Sequence, residues 1–137
     1  MELGVIIVTH AGLADAFIGT VEMLSGPQSN LKAVGFQEGD NMMETANLLT
    51  SMVQNNPSDF TILFTDAYGA TPTNAALLAI SQCENAAVIT GVNLVSVLQA
   101  LELNGEDMGV EEVLNLVASE GKNGVRIITK EMVLNGT

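Results

Sequence analysis

Two stretches of the sequence carry residue types that can do chemistry together. The first is Thr9-His10-Ala11-Gly12, which follows the apolar run Val5-Ile6-Ile7-Val8 and holds the single histidine of the chain. The second is Asp66-Ala67-Tyr68-Gly69-Ala70-Thr71-Pro72-Thr73-Asn74, which follows a second apolar run at 60–65. A carboxylate beside an imidazole accepts one ring N–H, fixes the tautomer and makes the other nitrogen a better nucleophile. Thr71-Pro72 reads as an N-cap followed by proline at the first helical position, and Ala11-Gly12 opens another helix. Two helix N-termini and a threonine hydroxyl around a histidine suit a negative group attached to its ring. The chemistry that needs this set is transient phosphorylation of imidazole, on the nitrogen facing away from Asp66. His10 is the candidate acceptor and Asp66 the residue that orients it. Ala11, Gly12, Gly69, Thr71 and Thr73 are the candidate phosphoryl contacts. Taken singly, each half has an ordinary reading, a half-buried histidine and a turn aspartate. Only their pairing makes a site.

The elements that must pair them follow from periodicity. Residues 4–9 read as a strand buried on both faces, because the apolar run does not alternate. A first helix places Leu13, Phe17, Val21 and Leu24 on one face and stops at Ser25-Gly26-Pro27. Strand two covers 31–36. Asp40 is the expected N-cap of a second helix that runs to about residue 55, with Met43, Ala46, Leu49 and Val53 inward. Strand three covers 60–65, and helix three about 72–83, buried from Ala75 to Ile80. Strand four spans 86–90, helix four 93–103 and helix five 110–119. A last short strand is expected at 125–129, and residues 130–137 are expected to be loose or to reach toward a partner. Alternating strands and helices imply an α/β, doubly wound three-layer sandwich. Its sheet is mainly parallel, in order 2-1-3-4, with a short C-terminal edge strand. Strands one and three then flank the topological switch point, which places His10 beside Asp66. The 137 residues form one expected domain, 1–137.

Composition removes several classes of function. Sixteen acids against four bases give a net charge of −12, which disfavours nucleic acid and anionic membranes and favours a basic protein partner. The bases are Lys32, Lys122, Arg126 and Lys130, so residues 33–121 contain none. An anion there must be held by backbone N–H groups and hydroxyls, which suits a phosphoryl group that is passed on. One histidine and one cysteine cannot build a usual transition-metal site, so no metal is expected. No G-x-G-x-x-G, P-loop or G-x-S-x-G motif appears, and no cofactor is expected. The lone Cys83 excludes an internal disulfide, and Met1-Glu2-Leu3 is acidic where a secretory leader is basic. The longest apolar stretch, 86–103, is striped with polar residues and fits a helix packed on one side. A cytoplasmic location is the expectation.

The chain resembles the mannose-class enzyme IIA component of the phosphoenolpyruvate-dependent sugar phosphotransferase system. The resemblance rests on Thr9-His10-Ala11-Gly12, Glu22-Met23-Leu24-Ser25-Gly26, Phe64 through Ala76, and Ile89-Thr90-Gly91-Val92-Asn93, in order and at the right spacing. It implies that His10 accepts a phosphoryl group from phospho-HPr and passes it to a IIB component for sugar uptake. It implies that Asp66 orients His10 and that Thr71 with the adjacent helix start contacts the phosphoryl group. It also implies a homodimer, in which the C-terminal strand at 125–129 crosses to the partner subunit, and allows peripheral association with a IIC/IID membrane complex. Two departures bear on partner fit: Tyr68 stands where a larger aromatic is expected, and Ala70-Thr71 replaces a Gly-Ser pair. Some relatives continue into a IIB domain, which this chain does not include. A regulatory phosphorelay module without transport, and the phosphotransfer subunit of a dihydroxyacetone kinase, are the alternative readings.

Overall fold

The computed structural model describes residues 1–136. Four strands form one parallel sheet in the order β2-β1-β3-β4: β1 Leu3–His10, β2 Leu31–Phe36, β3 Phe60–Thr65 and β4 Ala86–Ile89. The helices between and after them are α1 Leu13–Ser25, α2 Met42–Gln54, α3 Thr71–Ile80, α4 Leu94–Glu102, α5 Val110–Asn123 and α6 Lys130–Leu134. β1 and β3 are the central strands and are buried on both faces, in keeping with their apolar cores Val5–Val8 and Ile62–Phe64. Val5, Ile7, Ile62 and Phe64 pack under α1, α4 and α5, while Ile6, Val8 and Leu63 pack under α2 and α3. This is the doubly wound, three-layer α/β arrangement. None of the described helices is long and apolar enough to cross a membrane.

The register sets where the two chemical stretches end. Val8 pairs with Thr65 and His10 with Phe36, so β1 runs past the end of β3 and Asp66 emerges beside the last turn of β1. Both strands deliver their following residues to the carboxyl rim of the sheet, at the point where strand order reverses.

Several local expectations are corrected. The buried stripe of α1 is Ala14 and Val21 with Phe17 and Ile18 beside them, and Leu13 and Leu24 are exposed. The inward face thus keeps Phe17 and Val21 and takes Ala14 and Ile18 in place of Leu13 and Leu24. Met43 is likewise exposed on α2. Helix α3 contacts the core through Ala75, Ala76 and Ala79 and leaves Leu77 and Leu78 largely outside. Asn41, and not Asp40, caps α2: its side chain accepts the Glu44 N–H, while Asp40 accepts the Gln37 N–H one turn earlier. The segment 125–129 pairs with no strand of this chain, and its apolar residues Val125, Ile127 and Ile128 lie exposed. An edge strand forms only where its backbone pairs with a neighbouring edge, and among the described residues this segment makes no such pairing. Residues 130–134 are helical, where a loose segment is expected, because Thr129 caps them at the Met132 N–H. Thr137, the end of that expected tail, lies outside the described residues.

Candidate functional site

The rim turn after β1 is held from three sides. Thr9 is fully buried, and its hydroxyl accepts the Ala14 N–H at 2.8 Å and donates to the His10 carbonyl at 3.1 Å. It caps the first turn of α1, for which Gly12 has no side chain to offer. Ala11 adopts a left-handed backbone conformation (φ 49°) and donates its N–H to the Phe36 carbonyl at 2.9 Å. A Cβ at Gly35 on β2 would collide with the Ala11 carbonyl, so only glycine lets β2 lie against this turn. The result is a short, tied corner with the His10 side chain projecting from it, about half exposed (54%).

Asp66 closes the corner from β3. Its Oδ2 lies 2.9 Å from the His10 backbone nitrogen and 2.7 Å from His10 Nδ1. Its Oδ1 accepts the Ala67 N–H at 3.0 Å. Burial by itself would push the Asp66 carboxyl up, but the His10 N–H, the His10 ring and the Ala67 N–H together hold it below its ordinary value. Asp66 is therefore a carboxylate, which only accepts, so Nδ1 carries the ring proton and Nε2 is left with the lone pair. Asp66 is 15% exposed and His10 much more so, which leaves Nε2 open to an approaching group.

The loop from Asp66 to α3 supplies the other wall. Gly69 sits at φ 82°, a conformation suited to glycine, and turns the chain into α3. Ala70 is the N-cap of α3, with extended backbone and no side-chain cap, so Thr71 is the first helical residue and Pro72 follows it. The expectation that Thr71 caps the helix is thus replaced. Its half-buried hydroxyl makes no hydrogen bond among the described residues and is available to a ligand. Thr73 is different. It is fully buried, and its hydroxyl lies 2.6 Å from the Ala67 carbonyl and 2.7 Å from the Thr65 hydroxyl. It braces the loop and offers no side chain to an anion.

The sequence-derived candidates therefore separate. His10 and Asp66 are in direct contact. Gly12, Gly69 and Thr71 lie on the two turns that flank them. The Ala11 N–H is already spent on β2, and the Thr73 hydroxyl is spent inside the loop. With Ala14 capped by Thr9 and Ala16 bonded to the Gly12 carbonyl, the backbone donors left at the start of α1 are those of Gly12, Leu13 and Asp15. Three contributors escaped the sequence reading: Thr9, Gly35 and Thr65. The signal for Gly35 was present, since a glycine inside a strand marks a close backbone approach. Nothing in the local sequence marks Thr9 or Thr65 as more than strand residues. Among the described residues no cluster of three His, Cys, Asp or Glu could hold a metal ion.

Comparison with known proteins gives concordant findings. A family model described as the PTS system fructose IIA component, EIIA-man, matches residues 4–118. The chain is 28% identical over 134 residues to the PTS system mannose-specific EIIAB component of Escherichia coli K12, covering 97% of this chain and 42% of that protein. It is 26% identical over 131 residues to the fructose-specific EIIA component of Bacillus subtilis, covering 95% and 89% of the two chains. The chain thus spans well under half the length of the Escherichia coli relative. Among solved structures, the phosphotransferase system component EIIA from Streptococcus agalactiae superposes with a TM-score of 0.83 at 21% identity, covering 92% of this chain and 97% of that one. At that identity the likeness speaks for the fold.

Proposed function

Since the chain belongs to the EIIA-man family, and is thereby a phosphotransfer component of the sugar phosphotransferase system, we propose that His10 is its phosphoryl carrier. In this reading phospho-HPr is the donor and a IIB component the acceptor. The observation that carries it is the double grip of Asp66 Oδ2 on the backbone and ring of His10. That grip leaves Nε2 as the nucleophile and keeps a negative charge against Nδ1–H.

Each transfer is an in-line exchange at phosphorus. The Nε2 lone pair forms the new P–N bond as the bond to the donor breaks, and the donor leaves with that bonding pair. The imidazole becomes formally cationic while retaining the Nδ1 proton, and Asp66 compensates that charge. The ring is then a good leaving group for the onward step, in which the P–N bond breaks and its pair returns to Nε2. The N–H groups of Gly12 and Leu13, the Thr71 hydroxyl and the start of α3 supply dipoles for the phosphoryl oxygens. Among the described residues, no cationic side chain forms an ion pair or hydrogen bond with His10 or Asp66. The expected assembly is a cytoplasmic homodimer, and the exposed Val125, Ile127 and Ile128 support pairing through that segment.

Incubation with phosphoenolpyruvate, enzyme I and HPr tests the reading. Acid-labile phosphohistidine is expected on the intact chain and absent from His10→Ala. Label that persists in that variant overturns it.

A further inference from the structure

We propose that Thr73 is a positioning residue for His10, acting through the loop that carries Asp66. The inference rests on the reading of His10 and Asp66 given above and adds a residue that touches neither of them. Thr65 and Ala67 are the two chain neighbours of Asp66, and the Thr73 hydroxyl reaches both, at 2.7 and 2.6 Å. Thr65 and Thr73 are each fully buried. Proton counting gives the contact a direction. The Ala67 carbonyl can only accept, so the single Thr73 hydroxyl proton goes there, and Thr65 supplies the proton of the hydroxyl–hydroxyl contact. The relay therefore runs from Thr65 through Thr73 to Ala67.

The relay bears on the carboxylate because the Ala67 residue is held at both ends. Its N–H donates to Asp66 Oδ1 at 3.0 Å, and its carbonyl accepts from Thr73 and, at 3.3 Å, from the Ala70 N–H. Fixing that carbonyl fixes the N–H that orients Oδ1, which in turn aims Oδ2 at the two His10 nitrogens. The Thr65 carbonyl is tied separately, to the Val92 N–H at 3.0 Å, so the strand end itself stays in place. Losing the Thr73 hydroxyl would thus free the loop without freeing β3. The Ala67 carbonyl would keep only the longer Ala70 contact, and the Thr65 hydroxyl would be buried without a partner.

The test uses the intact, unphosphorylated chain labelled with ¹⁵N in the histidine ring, where two-bond ¹H–¹⁵N spectra report which nitrogen carries the proton. In the wild type and in Thr73→Ser, a single Nδ1–H form is expected for the neutral ring. Thr73→Val is expected to show a mixture that includes Nε2–H, and phosphoryl transfer from phospho-HPr slowed about tenfold or more, as loss of alignment implies. A Thr73→Val protein with the wild-type tautomer overturns the proposal, whatever its melting temperature. If Thr73→Val does not fold, Thr73→Ala decides, because it removes the same bond to the Ala67 carbonyl with a smaller side chain. A shift toward Nε2–H supports the positioning role, and no shift overturns it. The spectra need no phosphoryl donor. Should wild-type His10 take no phosphate, the carrier function fails while the tautomer still decides the role of Thr73.

Discussion

One oxygen of Asp66 engages His10 twice: Oδ2 lies 2.9 Å from the backbone nitrogen and 2.7 Å from Nδ1. The first contact fixes where the residue sits, and the second fixes how its ring is turned and protonated. A neutral amide in the same place keeps the shape and loses the charge. Asp66→Asn is therefore expected to fold and to lower the rate of His10 phosphorylation by about 10²-fold or more, in line with removal of an orienting carboxylate elsewhere. Single-turnover labelling from phospho-HPr measures it. A rate within a factor of about three of wild type, a difference worth well under 1 kcal/mol, contradicts the assignment.

The same contact has a pH signature. Although burial alone would raise the Asp66 carboxyl, its hydrogen bonds with His10 and Ala67 hold it below its ordinary value of 3.8. A carboxyl depressed on folding contributes stability that is present above the unfolded value and is lost as pH falls through the folded one. The gap in melting temperature between wild type and Asp66→Asn should thus persist at neutral pH and close at pH values below 3.8. A gap that widens with acid contradicts this sign.

Gly35 supports the His10 corner from the neighbouring strand. Its added Cβ would meet the Ala11 carbonyl, which is backbone and cannot rotate away. Gly35→Ala is expected to cost about 1–3 kcal/mol, the usual range for overpacking a fitted site. It should also slow phosphorylation, because the displaced residue adjoins His10. Chemical denaturation and the labelling rate together check both parts.

The exposed run at 125–129 predicts an assembly. Ile127 is 84% exposed and Ile128 67% exposed in the single chain. If the segment pairs with a second copy, Ile127→Glu should shift the mass measured by light scattering from dimer to monomer. The fold of each subunit should be unchanged, since that side chain is mostly exposed. A wild type that is monomeric at high concentration contradicts the pairing.

The sheet was legible because its evidence is local and redundant. The apolar runs at 5–8 and 62–64 read as strands buried on both faces, and alternation with helices then restricts the order of the sheet. His10 and Asp66 were legible for the same reason: each stands directly after such a run, so topology alone brings them to one rim. Helix faces were less so. Leu13 and Leu24 match an inward stripe by spacing, and Leu77 and Leu78 lie in a continuous apolar run, but Ala14 and Val21 on α1 and Ala75, Ala76 and Ala79 on α3 take the core contact. The N-caps moved by one residue for a related reason. Asn41 and Asp40, or Ala70 and Thr71, differ only in where the backbone turns from extended to helical, and that point is set by packing.

The chain by itself determined which residue can carry the chemistry, since it holds one histidine, places it after a buried strand, and keeps bases out of residues 33–121. Residue types and strand order are properties of the sequence pattern and survive without coordinates. Tertiary structure alone decided which donors remain free around that histidine. Ala11 gives its N–H to Phe36 on another strand, and Thr73 gives its hydroxyl to the loop behind Asp66. A hydrogen-bonding group can be committed by a partner tens of residues away, and only three-dimensional proximity reveals that commitment. What remains open at the rim is the Nε2 face of His10, the N–H groups at the start of α1 and the Thr71 hydroxyl.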